Sequence, residues 1–247
     1  FIVKTFSNKE FPYSDLEVIN TETGDRLRVV PERGGLITEW LCNGQEILYF
    51  DLERFNQKEK SVRGGIPILF PICGDLPGNC WRLNNQEYTM NQHGFARDSK
   101  WKINIIEGKS SFSLSLSDNE RTRAMYPYFF LLEIEVSLEI NSLNLNILIY
   151  NKSQQKMPFS FGMHPYFIVT DLSSTKIEGL QNTCINHLTK TEGSTDQQLN
   201  YLSKGVDFIT GPSTRVNLLD NVAGTSLQVQ QQAPLDLTVL WTGPPRK

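Results

Sequence analysis

Apolar and polar residues alternate at every second position over several parts of the chain. Residues 112–117 (FSLSLS) and 131–140 (LLEIEVSLEI) show this pattern, which is typical of strands that bury one face. Residues 143–150 (LNLNILIY) follow the second run after a short NS turn. We therefore predict that residues 131–150 form a long antiparallel hairpin.

Shorter runs of the same kind predict further strands, at residues 16–22, 25–32, 87–90, 226–232 and 237–241. Polar and glycine-containing turns such as CNGQE and LNNQE separate these runs. No segment keeps a helical period over a dozen residues, although residues 51–59 could supply one or two helical turns. The pattern predicts an all-β protein in which residues 1–247 form one large antiparallel β-sandwich domain.

Composition excludes several classes of partner. The formal net charge is -3 and the pI is about 5.7, so the chain lacks the basic footprint that nucleic acid or an anionic membrane surface attracts. No apolar run reaches the length of a membrane span. We expect no nucleic-acid partner and no membrane partner.

The cysteines and histidines are too few and too scattered for a zinc site. Cys42, Cys73, Cys80 and Cys184 form no CxxC pair, and the chain has three histidines. We predict no metal and mostly buried, free thiols in a reducing, cytoplasmic compartment. A bridge between Cys73 and Cys80 is the alternative.

Residues 62–78 (VRGGIPILFPICGDLPG) are apolar but are interrupted by Pro67 and Pro71. Proline cannot donate to a sheet ladder, so a regular central strand is not expected here. Arg63 precedes two glycines, where the backbone can approach a ligand closely. A buried crossing segment with a surface arginine fits the same residues.

Two of the three histidines lie in short motifs that suit a binding site. His93 and Arg97 in HGFAR could bind an anion or vicinal hydroxyls, or they could cap a turn and lie on a solvated edge. His164 in FGMHPYF is restricted by Pro165 and flanked by aromatic residues. That setting suits an acid or base near neutral pH, or a hydrogen-bonded core histidine. His187 lies in a polar stretch and is given no role.

Taken in order and at these separations, RGGIPILFPICG, HGFAR and FGMHPYF resemble the aldose 1-epimerase (mutarotase) family, and most closely its hexose-6-phosphate mutarotase-like branch. The resemblance implies a galactose-mutarotase-like β-supersandwich with a sugar cleft on one concave sheet face. It also implies the interconversion of α- and β-anomers of a hexose or hexose phosphate. That chemistry uses a general acid and a general base and needs no cofactor.

The same resemblance assigns roles to residues. It implies that His164 is the general acid at the ring oxygen and that His93 positions the sugar. Arg63 and Arg97 match arginines that line the phosphate end, where bidentate contacts suit the ligand. Asp207 in GVDFITGP matches a sugar-binding carboxylate of the family.

The general base departs from the family pattern. The family's glutamate, in a Glu-Pro-Trp motif, follows a strand that resembles residues 237–245 (LTVLWTGPP), and residues 1–247 contain no match to it. We therefore expect that the domain is missing its C-terminal end here and that the natural chain runs past Lys247. A non-catalytic carbohydrate-binding or sugar-sensing protein is the alternative. A glycoside hydrolase ranks third, because it needs two carboxylates across a glycosidic bond and the acidic residues are scattered.

Overall fold

The chain divides into two compact units, with the boundary between Ile168 and Val169. The structure is a computed structural model that describes residues 2–6, 12–106 and 111–243. A single domain over residues 1–247 stays a prediction.

The first unit consists mainly of short and medium strands. Its strands are β1 (Ile2–Phe6), β2 (Asp15–Ile19), β3 (Arg26–Val30), β4 (Leu36–Cys42), β5 (Gln45–Glu46), β6 (Ile68–Leu69), β7 (Cys80–Leu83), β8 (Gln86–Thr89), β9 (Lys102–Ile106), β10 (Ser111–Ser117), β11 (Phe130–Glu139), β12 (Ser142–Asn151) and β13 (Gly162–Met163). Its helices are α1 (Leu52–Phe55) and α2 (Glu120–Met125), with 3₁₀ turns at Pro77–Asn79 and Ala96–Asp98.

Two antiparallel sheets and two small strand pairs organise this unit. The sheets have the orders β1-β2-β3-β4-β5 and β12-β11-β10-β9, and the pairs are β13-β6 and β7-β8. The hairpin predicted at residues 131–150 is confirmed, with Leu132 opposite Ile149. Leu132, Ile134 and Val136 are at most 2% exposed, so the alternating apolar positions do form the core face.

The core of the first unit lies between the two sheets. Ile37 of β4, Ile68 of β6, and Leu114 and Ile134 of the four-stranded sheet line the same small interior void. The proline-containing segment therefore crosses the core, as predicted. Its only described strand is the two-residue β6, and residues 64–71 are buried.

The second unit has two antiparallel sheets of its own. Its strands are β14 (Thr175–Glu178), β15 (Thr183–Asn186), β16 (Thr191–Ser194), β17 (Val206–Thr210), β18 (Arg215–Asp220), β19 (Thr225–Gln230) and β20 (Thr238–Thr242), with α3 (Thr195–Leu199) and a 3₁₀ turn at Leu202–Lys204. The sheet orders are β14-β18-β19 and β16-β15-β17-β20. Cys184, Leu202, Val206 and Phe208 form a buried cluster.

The all-β prediction is confirmed, and α1 lies within the short helical stretch expected at residues 51–59. Sequence reasoning did not predict α2. That helix begins with a capping box, in which Asn119 Oδ1 accepts from the Thr122 amide and Thr122 Oγ1 accepts from the Asn119 amide. No helix in the described ranges is long and apolar enough to cross a membrane.

All four cysteines are free thiols. The alternative of a Cys73–Cys80 bridge is therefore wrong. Cys42 and Cys184 are buried as expected, whereas Cys73 is exposed and Cys80 is half-buried. Cys73 lies where the chain leaves the core at the end of the buried segment.

Candidate functional site

The buried segment at residues 64–71 joins the HGFAR motif to the core. The Phe70 carbonyl accepts hydrogen bonds from the amides of Phe95 (3.0 Å) and Ala96 (3.2 Å). Gly94 has φ +73, and a Cβ there would lie 2.2 Å from the Phe70 oxygen. Only glycine allows this approach, so the sequence of the motif fixes His93 and Arg97 beside the segment.

The opposite side of the same segment holds the FGMHPYF motif. Met163 of β13 pairs with Ile68 of β6. The His164 amide then donates to the Pro67 carbonyl and the Tyr166 amide to the Gly65 carbonyl, each at 2.9 Å. Three motifs that are far apart in sequence therefore adjoin within the first unit.

His93 is held by a reciprocal pair of hydrogen bonds to Gly74. The His93 amide donates to the Gly74 carbonyl, and the Gly74 amide donates to His93 Nδ1, both at 2.9 Å. Because Nδ1 accepts, the neutral ring carries its proton on Nε2 and presents an N–H donor.

The same surroundings keep His93 uncharged. Burial lowers the pKa of His93 to about 4, helped by the charges of Arg97 and His164 and opposed by Asp75. The residue also has φ +66, a left-handed conformation that few non-glycine residues adopt. His93 is thus a constrained, neutral donor at neutral pH.

His164 lies next to His93. Their ring centroids are 6.5 Å apart and their planes are inclined by 78°. The His164 ring also stacks on Tyr166, with centroids 4.7 Å apart and planes inclined by 18°. Both imidazoles are half-buried, so one small ligand could contact both rings.

Positive charge gathers around Tyr166. Burial raises the pKa of the Tyr166 hydroxyl, while Arg63, Arg97 and Arg54 oppose the rise through their charges. The side chain of Arg63 is exposed, and its guanidinium makes no hydrogen bond or ion pair within the described ranges. Arg63 and Arg97, which were predicted from the sequence, therefore both lower the pKa of Tyr166, as does Arg54, which was not predicted.

Arg97 is partly engaged within the protein. Its Nη2 donates to the Gln92 carbonyl at 2.8 Å, and its Nε lies 3.8 Å from Asp98 Oδ2. That Nε is buried and has no hydrogen-bond partner among the described residues. Arg97 therefore holds the Gln92 carbonyl through Nη2, while its Nε makes no hydrogen bond within the described ranges.

Asp207 lies in the second unit, on β17. His187 Nδ1 is 2.7 Å from Asp207 Oδ1, and the His187 amide donates to the Asp207 carbonyl at 2.9 Å. The two side chains are about a third exposed, at 32% and 30%. His187, which had no assigned role, therefore orients the carboxylate that the resemblance implicates.

Several features of the site escaped sequence reasoning. Gly74 acts through its backbone, which leaves no chemical signature in the sequence. Tyr166 was noted only as one of the aromatic residues that flank His164, and Arg54 lay in a stretch expected only to form a helical turn. Within residues 2–6, 12–106 and 111–243, no three His, Cys, Asp or Glu side chains are grouped so that they could hold a metal ion.

The chain belongs to the aldose 1-epimerase family, whose family model matches residues 17–247. A curated relative, named "Putative glucose-6-phosphate 1-epimerase" from Cenchrus ciliaris, is 32% identical over 177 residues. That match covers 66% of this chain and 50% of the relative, so the chain spans half the length of that relative.

Solved structures share the fold. The Slr1438 protein from Synechocystis sp. PCC 6803 matches with a TM-score of 0.89 and 35% identity, over 97% of this chain and 84% of that chain. A galactose mutarotase-like protein from Clostridium acetobutylicum matches with a TM-score of 0.78 and 15% identity, over 98% and 84%. The sandwich class predicted from the sequence is thereby confirmed.

Proposed function

We propose that this protein is an aldose 1-epimerase that interconverts the α- and β-anomers of a hexose or hexose phosphate. The observation that carries the proposal is the pairing of two histidines in one half-buried site. His93 is a fixed neutral donor, and the His164 ring lies 6.5 Å away. Family membership supports the same reaction class.

The reaction gives the two histidines different roles in this proposal. Ring opening requires that the ring oxygen gains a proton while the anomeric hydroxyl loses one. In this proposal His164 is the general acid at the ring oxygen. His93 positions the sugar, because a neutral Nε2–H donates a hydrogen bond without transferring its proton. The proton of the anomeric hydroxyl passes to a general base, and the proposal assigns that base to no residue within 1–247.

The arginines form the anion-binding end in this proposal. Arg63 offers an exposed guanidinium, and the charges of Arg63 and Arg97 both lower the pKa of the Tyr166 hydroxyl. Guanidinium groups bind phosphate through paired, charge-assisted hydrogen bonds. The name of the Cenchrus ciliaris relative supports a phosphorylated hexose. Asp207 is proposed to accept hydrogen bonds from sugar hydroxyls.

A direct test is the rate of anomer exchange, measured by exchange NMR on equilibrated glucose and on glucose 6-phosphate. We expect the protein to accelerate exchange above the buffer rate, more effectively with the phosphorylated sugar. Binding of either sugar without acceleration would identify a carbohydrate-binding protein instead. Serum albumin at the same mass concentration serves as the control for nonspecific catalysis.

A further inference from the structure

We infer that Tyr166 is a positioning residue that fixes the imidazole plane of His164 through its stacked ring. This inference rests on the proposed acid role of His164. It adds a residue whose action goes through another side chain rather than through the sugar. It is supported by the backbone of this stretch, the ring geometry and the surroundings of the tyrosine.

The backbone places the two rings on one side. The amides of His164 and Tyr166 donate to Pro67 and Gly65, so alternate residues bond to one neighbouring segment as in a strand ladder. Residues two apart in such a stretch project their side chains to the same side. The stacked geometry of the two rings follows from this register.

Backbone hydrogen bonds hold Tyr166 in place, so that its ring can restrict the His164 ring. The Tyr166 amide donates a hydrogen bond to the Gly65 carbonyl. The Tyr166 carbonyl accepts a hydrogen bond from the Tyr49 amide at 2.9 Å. The Gly65 amide in turn donates to the Tyr49 carbonyl at 2.8 Å. This closed set of backbone bonds fixes the Cα–Cβ direction of Tyr166 relative to the buried segment.

The His164 imidazole needs a neighbouring ring to hold it, because rotation about its Cβ–ring bond is only weakly restricted. The bond between Cβ and the ring of a histidine has broad energy wells, so backbone restraint by Pro165 does not fix the ring plane. An aromatic face at 4.7 Å and 18° restricts that rotation. A general acid must hold its N–H toward the ring oxygen within a narrow range of directions.

The test is a set of variants measured for kcat and KM of glucose anomer exchange. Tyr166→Phe keeps the stacked ring, and we expect it to retain most of the kcat that Tyr166→Leu loses. Tyr166→Leu removes the ring, and we expect kcat to fall by up to about 10²-fold with KM for glucose unchanged. Tyr88→Leu is the matched control, because it removes a tyrosine stacked on Trp81 (5.1 Å, 28°), and it should leave kcat unchanged.

The double variant His164→Gln/Tyr166→Leu separates positioning from a general structural effect. If the ring acts through His164, the second substitution lowers kcat no further than His164→Gln alone. An equal loss from Tyr166→Leu in both backgrounds would overturn the inference, as would a loss in Tyr166→Phe equal to that in Tyr166→Leu.

The outcomes also distinguish this inference from the proposed function. If His164→Gln lowers kcat while Tyr166→Leu does not, only the positioning inference fails. If His164→Gln keeps the wild-type rate, the acid role itself fails. Should Tyr166→Leu not fold by circular dichroism and thermal melting, Tyr166→Met makes the same comparison with a flexible apolar side chain.

Discussion

The Gly74 amide donates a hydrogen bond to Nδ1 of His93 at 2.9 Å, and the Gly74 carbonyl accepts one from the His93 amide at the same distance. This reciprocal pair determines what His93 can do. Protonation of Nδ1 would set two N–H groups against each other and remove an acceptor from a partly buried amide. The ring therefore serves as a donor through Nε2.

The first prediction concerns the charge of His93. We expect nitrogen-15 NMR of the imidazole to show the neutral Nε2–H tautomer from pH 8 down to about pH 5, because the pKa of His93 is lowered to about 4 by burial. A titration centred near the ordinary value of 6.5 would contradict this.

Stability should depend on pH through the same group. The unfolded chain protonates His93 near pH 6.5, whereas the folded protein does so near pH 4, so the unfolded state binds more protons in this window. The His93 contribution is therefore complete above about pH 6.5 and is lost as pH falls toward about 4. Urea unfolding should show a smaller pH dependence in His93→Asn, where asparagine tolerates the left-handed backbone.

The second prediction concerns the close approach of the Gly94 backbone to the Phe70 carbonyl oxygen. Gly94→Ala should destabilise the protein by more than Gly24→Ala, although both glycines have positive φ (+73 and +78). A left-handed alanine costs about 1–2 kcal/mol at either position. At Gly94 the new Cβ must also displace the Phe70 carbonyl, whereas at Gly24 nothing lies within 4 Å.

Urea unfolding of the two alanine variants measures this difference directly. Equal losses of unfolding free energy would show that the close approach to Phe70 contributes nothing. We also expect Gly94→Ala to weaken sugar binding, since the adjoining His93 and Arg97 would shift with the motif. Gly24→Ala should bind sugar as the wild type does.

The sequence was sufficient to predict the segments whose burial is one-sided. β10, β11 and β12 alternate cleanly, and each was predicted close to its observed bounds. No strand was predicted at β4 (Leu36–Cys42), because its apolar and polar residues do not alternate in sequence, and its first three residues are all buried. The proline-interrupted crossing was predicted because Pro67 and Pro71 cannot donate to a sheet ladder.

Some residues of the candidate site could be predicted from the sequence and others could not. His93, His164, Arg63 and Arg97 were selected because their motifs resemble those of the family, whereas the residue types alone left a structural role open for each. The contact of Asp207 with His187 depends on the pairing of β15 with β17, and that pairing joins residues about twenty positions apart. The roles of Gly74 and Tyr166 depend on backbone bonds and ring planes, which a single sequence does not encode in any readable pattern.

The third prediction concerns the anionic end of the substrate. Arg63→Gln should raise KM for glucose 6-phosphate by about tenfold to hundredfold, the value of one or two charge-assisted hydrogen bonds, and should leave KM for glucose unchanged. Arg63 is the sharper choice over Arg97, because Arg97 also holds the Gln92 carbonyl.

Arg82→Gln is the matched control for this prediction. Arg82 is an exposed arginine on the β7-β8 hairpin that pairs with Glu87 at 3.1 Å, so its loss changes the net charge equally without touching the candidate site. The same rise in KM in both variants would reduce the effect to overall charge. No rise in Arg63→Gln would leave phosphate recognition without a role for that residue.

The central claim is that His164 transfers a proton during anomer exchange, and the most direct measurement is the exchange rate of saturating glucose 6-phosphate with wild-type protein and with His164→Gln. Glutamine retains hydrogen-bonding ability but cannot act as an acid near neutral pH. We predict that the wild type accelerates exchange and that His164→Gln loses about 10²–10⁴-fold of that acceleration while still binding the sugar. An unchanged rate in His164→Gln would contradict the acid role, and a wild type that binds the sugar without accelerating exchange would contradict enzymatic function altogether.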